Sequence, residues 1–314
     1  MKPIRIGSRG STLALVQATS VKAAIENAQP AAQVEIVVIK TSGDRFVDVP
    51  MQSIGGKGLF TKEIEDALLN KKIDIAVHSM KDLPTELPDG LTIAAVPQRE
   101  DPRDVLVSRN KDILQRLPRG SKVGTGSLRR RAQILHYRPD LSVVPIRGNV
   151  DTRLKKLDAG EVDALIMAAA GLKRIGQEDR IVEFIPLDIC VSAVGQGALA
   201  LETREDASVR GTLALLHDDK TNCEVSAERA FLQRLGGGCQ VPIGARAAVD
   251  GGKLHIIGVI ANPDGTTLCR GEKSGQTSAA ADLGRALAEQ LLREGADKIL
   301  ESLDRQQNYS YGES

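Results

Sequence analysis

Basic side chains are concentrated in one part of this sequence, between Lys122 and Lys156. Nine lysines and arginines fall in that stretch against two acids, although the whole chain carries a formal charge of only +1. Guanidinium and ammonium groups pair with carboxylates and phosphates through charge-assisted hydrogen bonds. The stretch therefore predicts a site for a ligand with several carboxylates or phosphates; the alternative is a solvated basic face.

Two turns within the stretch would bring such groups together. Gly124–Arg130 reads as a strand end that enters a helix, and Arg147-Gly-Asn repeats this arrangement after the next strand. The start of a helix favours anions, and open α/β sheets bind ligands at their strand ends. This placement favours the anion site over the solvated face. The glycine-containing segments at 55–58 and 124–126 complete neither a P-loop nor a dinucleotide fingerprint.

A single carboxylate lies among further polar and basic groups in the segment His78-Ser-Met-Lys-Asp82. Asp82 follows Lys81, shortly after a predicted strand that ends at Val77. Such a carboxylate could work as an acid/base group or stabilise a cation. It could also be a turn residue that pairs with Lys81.

Cys239 is a second candidate for chemistry, because it follows three glycines that let the backbone approach another molecule closely. A nucleophile, a covalent attachment point and a bystander all remain possible. The other cysteines, Cys190, Cys223 and Cys269, are expected to be packing residues. No Cys-x-x-Cys spacing occurs, so we expect no structural zinc, no disulfide and no metal site.

The composition excludes several classes of protein. The chain has 314 residues, of which 41% are hydrophobic and 26% charged, as in a globular protein of about two domains. The near-zero net charge and the few aromatic rings (four Phe, three Tyr, no Trp) argue against nucleic-acid binding. No apolar run reaches the ~20 residues of a membrane helix, and the N-terminus lacks a signal-peptide pattern. We therefore expect a cytoplasmic protein without a membrane partner.

Alternating strand-like and helix-like segments would position these residues. Up to about residue 175 the alternation predicts two α/β lobes, with a polar hinge at Gln98–Pro102. A helix is then predicted to begin near Asn222. The region that follows predicts an α+β domain, with elements at Gly244–Val249, Lys253–Ile260, Thr266–Arg270 (strands) and Ser278–Glu294 (helix).

The segment Ser42–Gly58 fits neither a helix nor a strand. Connections of this length are usually lids, binding loops or disordered segments. Three glycines around Lys57 favour a mobile lid over the cleft, and an ordinary surface loop is the alternative.

Eight motifs, in order, resemble the porphobilinogen deaminase (hydroxymethylbilane synthase) family over essentially the full chain. A single motif of this kind would be weak, whereas eight in order are specific. They are Ser8-Arg-Gly-Ser11 with Leu13–Ala18, Gly56–Glu63, His78–Pro84, Gly124–Arg130, Arg147–Arg153, Ala169–Arg174, Val194–Ala198 and Gly237–Gly244.

The resemblance implies an enzyme that joins porphobilinogen molecules head to tail. Members of that family couple four such molecules, release ammonia at each coupling and finally release linear hydroxymethylbilane by hydrolysis, and thereby serve porphyrin and haem biosynthesis. The chain grows on a dipyrromethane cofactor held by a thioether, here to Cys239. Each pyrrole carries an acetate and a propionate, which explains a local excess of arginine in a neutral protein.

The resemblance also implies a role for each matched residue. Asp82 is the catalytic group, which stabilises the cation formed when ammonia leaves and helps to remove the proton from the ring carbon. The residues implied to bind the cofactor are Cys239, Ser79, Lys81, Thr125, Ser127, Arg129, Arg130 and Arg147. The residues implied to bind substrate are Arg9, Gln17, Lys57, Phe60, Arg153, Arg174 and Gln196. No metal is implied, and the enzyme is expected to be a monomer.

The fold implied by the resemblance has three domains. Two are α/β lobes with mixed sheets like those of periplasmic binding proteins, formed by 1–98 with 195–216 and by 99–194. The third is an α+β domain, 217–314, with a three-stranded antiparallel sheet. Two other functions remain as alternatives: an anion receptor with the same lobes, which explains neither Asp82 nor Cys239, and an RNA-binding protein that uses Leu128–Arg131.

Overall fold

The computed structural model describes residues 2–42, 61–236 and 241–303. The strands of these residues are β1 (Ile4–Ser8), β2 (Val34–Val38), β3 (Ile75–Ser79), β4 (Leu91–Ala95), β5 (Asp104–Ser108), β6 (Lys122–Gly124), β7 (Ser142–Val144), β8 (Ala164–Ala168), β9 (Glu183–Phe184), β10 (Leu199–Arg204), β11 (Ile243–Asp250), β12 (Lys253–Ala261) and β13 (Leu268–Gln276). The α-helices are α1 (Thr12–Ala28), α2 (Lys62–Leu69), α3 (Leu128–Tyr137), α4 (Val150–Asp158), α5 (Ala169–Arg174), α6 (Arg210–Ala214), α7 (Asp219–Arg234) and α8 (Ala280–Leu291).

The first lobe is a five-stranded mixed sheet in the order β2-β1-β3-β10-β4. Strands β1, β2 and β3 are parallel, and β10 runs antiparallel between β3 and β4. Apolar residues on alternating positions bury one face against α1, with Ile6, Val77 and Leu201 in the same core. The chain therefore returns to the first lobe after it has built the second.

The second lobe repeats this plan with the order β7-β6-β8-β5-β9. Strands β6, β7 and β8 are parallel, and β5 is antiparallel to β8 and β9. Two chain segments connect the lobes, one between β4 and β5 and one between β9 and β10. Because the parallel strands of each sheet end at one edge, the turns after β3, β6 and β7 can face a common cleft.

The third part of the chain is an antiparallel meander, β11-β12-β13, covered by α7 and α8. Phe231 of α7 lies over Gly258 of β12, where an added Cβ would come within 2.6 Å of the ring. Helix α7 begins at Asp219 because the carboxylate of Asp218 accepts a hydrogen bond from Thr221 N at 2.7 Å.

The predicted fold class is confirmed: two mixed α/β sheets and a three-stranded antiparallel sheet are present. Several element bounds were wrong. His78 and Ser79 lie within β3 rather than after it, and β13 continues to Gln276 rather than ending at Arg270. Strand β10 was not predicted from the pattern, because its residues follow an irregular segment instead of a helix. The proposed domain boundaries stay a prediction.

Candidate functional site

The end of β3 and the start of α1 form one wall of the cleft. Asp82 is exposed there and lines a pocket of about 70 Å³ together with Arg9, Gln17 and Ser79. Gln17 is buried and its Nε2 donates to Ser79 Oγ at 3.0 Å, which joins the helix to the strand. The structure thus brings together four of the residues predicted for the site.

The second lobe contributes its arginines through two capped helices. Ser127 accepts a hydrogen bond from Arg130 N and begins α3, and Asn149 accepts one from Thr152 N at 2.9 Å and begins α4. Arg153, one turn into α4, donates from Nε to Gly148 O at 2.8 Å. The caps therefore fix where the arginine side chains leave each helix.

Arg129 and Arg130 are both buried and both pair with Asp104 at the start of β5. Arg129 Nη1 lies 2.6 Å from Asp104 Oδ2, and Arg130 Nη2 lies 2.8 Å from Oδ1. Burial alone would raise the pKa of Asp104, but the two guanidinium charges outweigh it and hold that pKa well below its usual range. This cluster therefore keeps a net positive charge on the cleft side of the second lobe.

Two further groups complete the Asp104 cluster. Gln196 Nε2 donates to Asp104 Oδ1 at 2.9 Å and to Pro102 O at 2.7 Å, so it connects the two interlobe segments. Cys190 Sγ lies 3.3 Å from Asp104, and burial raises the pKa of this thiol to about 12. Cys190 is accordingly an inert thiol, as predicted for a packing cysteine. The sequence analysis missed Asp104, which lies 25 residues from its first partner.

Cations from both lobes converge beside Asp82. Burial, reinforced by Arg130 and Arg129, lowers the pKa of Lys81 to about 8 although the carboxylates of Asp82 and Asp104 oppose the shift. Lys81 belongs to the first lobe and the two arginines to the second, so these groups act on one another across the cleft.

The same balance holds for Arg153 of the second lobe. Burial lowers its pKa to about 10, with contributions from Arg130 and Arg147 and with Asp82 opposing. Positive charge in this cleft therefore exceeds what the neighbouring carboxylates of the described residues compensate.

Arg174 lies at the interlobe connection rather than beside Asp82. Its Nη2 donates to Gly197 O at 2.7 Å, and burial lowers its pKa against the opposing charge of Glu100. Thr125 is buried and accepts a hydrogen bond from Ser127 N at 3.3 Å. Arg174 therefore contacts the segment that returns the chain to the first lobe, and Thr125 contacts the residue that begins α3.

A buried ion pair that the sequence did not reveal joins all three parts of the chain. Arg99, between the lobes, forms a bidentate pair with Glu228 of α7, with N–O distances of 2.7 and 3.0 Å. The Glu228 carboxylate also accepts from Gly195 N at 2.7 Å and Ala247 N at 2.8 Å. One fully buried carboxylate thus fixes both the interlobe segments and the first strand of the meander.

A second unpredicted cluster lies under the pocket. His78 Nε2 and Glu202 Oε2 are 2.9 Å apart between β3 and β10, and both side chains are buried. Burial raises the pKa of nearby Glu65, and Glu202 adds to that shift. His78 and Glu202 meet because β3 pairs with β10, and these two strands are far apart in the sequence.

Three predicted site residues, Lys57, Phe60 and Cys239, lie outside the described residues, as does the predicted lid apart from Ser42. Helix α7 ends at Arg234 and β11 begins at Ile243, on either side of Cys239. Within the described part of the chain, no group of three or more His, Cys, Asp or Glu side chains could hold a metal ion. No helix there is long and apolar enough to cross a membrane.

Two family models match the sequence. The model for "porphobilinogen deaminase, dipyromethane cofactor binding domain" matches residues 4–210, and the model for the C-terminal domain of porphobilinogen deaminase matches 222–293.

Known proteins of the same name are similar along almost the whole chain. The porphobilinogen deaminase of Syntrophus aciditrophicus is 52% identical over 302 residues, which cover 96% of this chain and 99% of the relative. The one from Geobacter sulfurreducens is 51% identical over 298 residues, covering 95% and 93%. Among solved structures, the periplasmic aliphatic sulphonate-binding protein of Escherichia coli aligns at 16% identity and a TM-score of 0.39, covering 74% and 70%. The family models and the close relatives together show that this chain belongs to the porphobilinogen deaminase family.

Proposed function

We propose that this chain performs the reaction of its family in the interlobe cleft, with Asp82 as the catalytic carboxylate. The reaction joins four porphobilinogen molecules head to tail with the loss of four ammonia molecules, and hydrolysis by one water then releases hydroxymethylbilane. The observation that carries the assignment is the position of Asp82. It is an exposed carboxylate at the cleft whose charge acts on Lys81 from its own lobe and on Arg153 from the other.

The residues of the cleft fit a dipyrromethane group. Two pyrrole rings carry four carboxylates between them, and the cleft holds cations whose pKa values are lowered by burial and mutual repulsion. A bound carboxylate would relieve that repulsion and form charge-assisted hydrogen bonds. Lys81, Arg147 and Arg153 are the residues best placed to hold it, with Ser79 and Ser127 as hydroxyl donors. When bound, the dipyrromethane supplies the pyrrole carbon that substrate molecules are added to.

Asp82 acts on the substrate ring. When the substrate loses ammonia, its C–N bond breaks and the positive charge spreads to the pyrrole nitrogen. A carboxylate that accepts the pyrrole N–H stabilises that charge as it develops, which lowers the barrier. After the new carbon–carbon bond has formed, the same carboxylate is suited to receive the proton from the ring carbon.

The arginines hold the substrate by its edges and leave the reacting centre to Asp82. Arg129 and Arg130 contribute the net positive field of their cluster with Asp104, since Asp104 already occupies both guanidiniums. Arg9, Gln17, Arg174 and Gln196 remain proposed substrate residues, as do Lys57 and Phe60. Attachment through Cys239 is part of the same proposal.

We also propose that the protein works in the cytoplasm as a monomer without a nucleic-acid partner. The formal charge of +1 and the few aromatic residues support the last point.

Incubation of the purified protein with porphobilinogen tests the proposal. We expect hydroxymethylbilane to form with four ammonia molecules per product, from a protein whose intact mass exceeds the sequence mass by two pyrrole units. An anion receptor would bind porphobilinogen, release no ammonia and show no excess mass. That result would refute the proposed function.

A further inference from the structure

One arginine of the third domain, Arg229 of α7, reaches the turn that follows Asp82. Its Nη1 donates to Leu83 O at 3.2 Å, and its Nη2 donates to Pro84 O at 2.6 Å and to Thr85 O at 3.1 Å. Three consecutive backbone carbonyls of the first lobe therefore accept hydrogen bonds from one guanidinium of another domain.

The turn begins at Met80, which is buried and whose backbone N donates to Ala198 O at 3.0 Å. Met80–Asp82 is a single 3₁₀ turn, and its closing hydrogen bond, from Leu83 N to Met80 O, is 3.3 Å long. The Asp82 side chain is exposed to the cleft, so packing does not hold it. On the inner side the Arg229 guanidinium also contacts Met80, with Nη1 3.8 Å from Sδ. The direction of the Asp82 carboxylate therefore depends on the contacts that hold the backbone of this turn, including those of Arg229.

The partners of Arg229 are carbonyl oxygens rather than a carboxylate, and burial lowers its pKa. A guanidinium taken from water without an ion pair is costly. Its planar fork can hold several acceptors at fixed angles, which an ammonium group cannot do. Such a contact fixes the relative positions of the guanidinium and the turn, without the electrostatic attraction of an ion pair.

The helix that carries Arg229 also leads to the proposed attachment residue. Helix α7 ends at Arg234, and Cys239 follows five residues later. Helix α7 therefore precedes the attachment point and also carries the arginine that is hydrogen-bonded to the turn of Asp82.

We propose that Arg229 is a positioning residue that fixes Asp82 relative to the helix that precedes Cys239. The inference rests on the proposed role of Asp82. On this proposal the third domain has two roles. It carries the attachment residue, and through Arg229 it positions the carboxylate at which each coupling occurs.

Arg270 of β13 provides a matched control. Its Nη1 donates to Leu187 O and Asp188 O, both at 3.0 Å, so it also joins the third domain to a lobe through backbone carbonyls. Its hydrogen-bond acceptors lie on the second lobe and not in the turn of Asp82. If Arg229 only docked the domain, Arg229→Lys and Arg270→Lys would have similar effects.

Steady-state kinetics of the two holoenzyme variants, with loading checked by intact mass, separate these roles. We expect Arg229→Lys to lower kcat roughly 10-fold to 100-fold, the loss typical of a small misplacement of a reacting group. KM should stay within about threefold, because the cations of the cleft still hold the substrate. Arg270→Lys should keep kcat near that of the wild type. Equal kcat values in the two variants would overturn the proposal.

Hydrogen exchange gives a readout that does not need turnover. In a cofactor-free Cys239→Ser background, we expect faster amide exchange in the peptide that covers 80–87 when Arg229→Lys is added. Adding Arg270→Lys should leave that peptide unchanged. Unchanged exchange in the Arg229→Lys protein would contradict the proposal even if the variant fails to load its cofactor.

A double-mutant cycle with Asp82→Asn tests whether Arg229 acts through Asp82. We expect Arg229→Lys to cause no further loss of kcat once Asp82 is Asn, since the group that it positions is gone. Additive losses would contradict the positioning role. A nearly normal rate for Asp82→Asn alone would instead refute the proposed catalytic role of Asp82, so the two failures are distinguishable.

Discussion

Asp104 Oδ2 lies 2.6 Å from Arg129 Nη1, and 5% or less of either side chain is exposed. This relationship divides the arginines of the second lobe into two classes. Arg129 and Arg130 share the buried carboxylate of Asp104, whereas Arg153 has a lowered pKa because burial and neighbouring arginines disfavour its charge. Substitutions in the two classes should therefore change the stability of the ligand-free protein by different amounts.

The first prediction concerns these two classes in a cofactor-free Cys239→Ser background. Arg129→Met should lower the free energy of unfolding by about 1–3 kcal/mol, because buried charge-assisted hydrogen bonds are lost while Arg130 still pairs with Asp104. Arg153→Met should leave it unchanged or raise it, because a disfavoured charge is removed. Urea denaturation of both variants measures the difference. Equal destabilisation by the two substitutions would contradict the division.

The second prediction concerns protons and Lys81. Because its pKa is about 8 in the free cleft, roughly half of the molecules carry a neutral Lys81 at pH 8. A bound carboxylate raises that pKa, so binding should take up about half a proton per site at pH 8 and none below about pH 6. Calorimetric titration of porphobilinogen into the Cys239→Ser protein, in buffers with different ionisation enthalpies, measures the uptake. The same uptake in Lys81→Met would show that another group is responsible.

The third prediction concerns Gly195, in the segment that returns the chain to the first lobe. Its φ is +71°, and an added Cβ would lie 2.5 Å from Met80 Cγ and 3.3 Å from Lys81 N. Gly195→Ala should therefore displace the turn of Lys81 and Asp82 and lower both Tm and kcat. Gly176→Ala is the control, because its φ of +68° brings similar backbone strain with nothing within 4 Å. Equal behaviour of the two alanine variants would mean that strain alone matters.

The fourth prediction concerns the attachment residue. Cys239→Ser removes the soft nucleophile that a thioether requires, so the intact mass should lose the excess of two pyrrole units. The protein should also be inactive, with a lower Tm, because no bound carboxylates offset the cations of the cleft. A Cys190→Ala variant serves as the control, since Cys190 is buried and its thiol is inert. Retained activity in Cys239→Ser would exclude attachment there.

The sequence predicted those parts of the site that depend on local patterns. Ser127 and Arg147 follow strands at positions where parallel sheets bind ligands, and a strand end near His78 placed Asp82 at the same edge. The α/β class followed from the alternation of elements. Nothing in these inferences required knowledge of which distant segments meet.

The missed features all depend on contacts between distant segments. Arg99 and Glu228 are separated by 129 positions, and their pair exists only because two interlobe segments pass beside α7. Glu202 and His78 are 124 positions apart in the sequence, and they meet because β10 pairs with β3. Asp104 lies just beyond the predicted hinge, and the sequence alone does not indicate that two arginines converge on it. The hydrogen bonds of Arg229 could not be predicted for the same reason. Their acceptors are backbone carbonyls, which every residue type has.

The central claim is that Asp82 stabilises a cation at the reacting centre, and single-turnover ammonia release from fully loaded enzyme tests it most directly. Asp82→Asn keeps the size of the side chain and an acceptor but removes the charge. We expect its rate to fall at least ~10²–10³-fold, while porphobilinogen still binds to the cleft cations. Asp82→Glu should retain more activity than Asn, because it keeps the charge one methylene further out. Loaded Asp82→Asn that releases ammonia within a few-fold of the wild-type rate would show that the carboxylate is only a structural neighbour of Lys81.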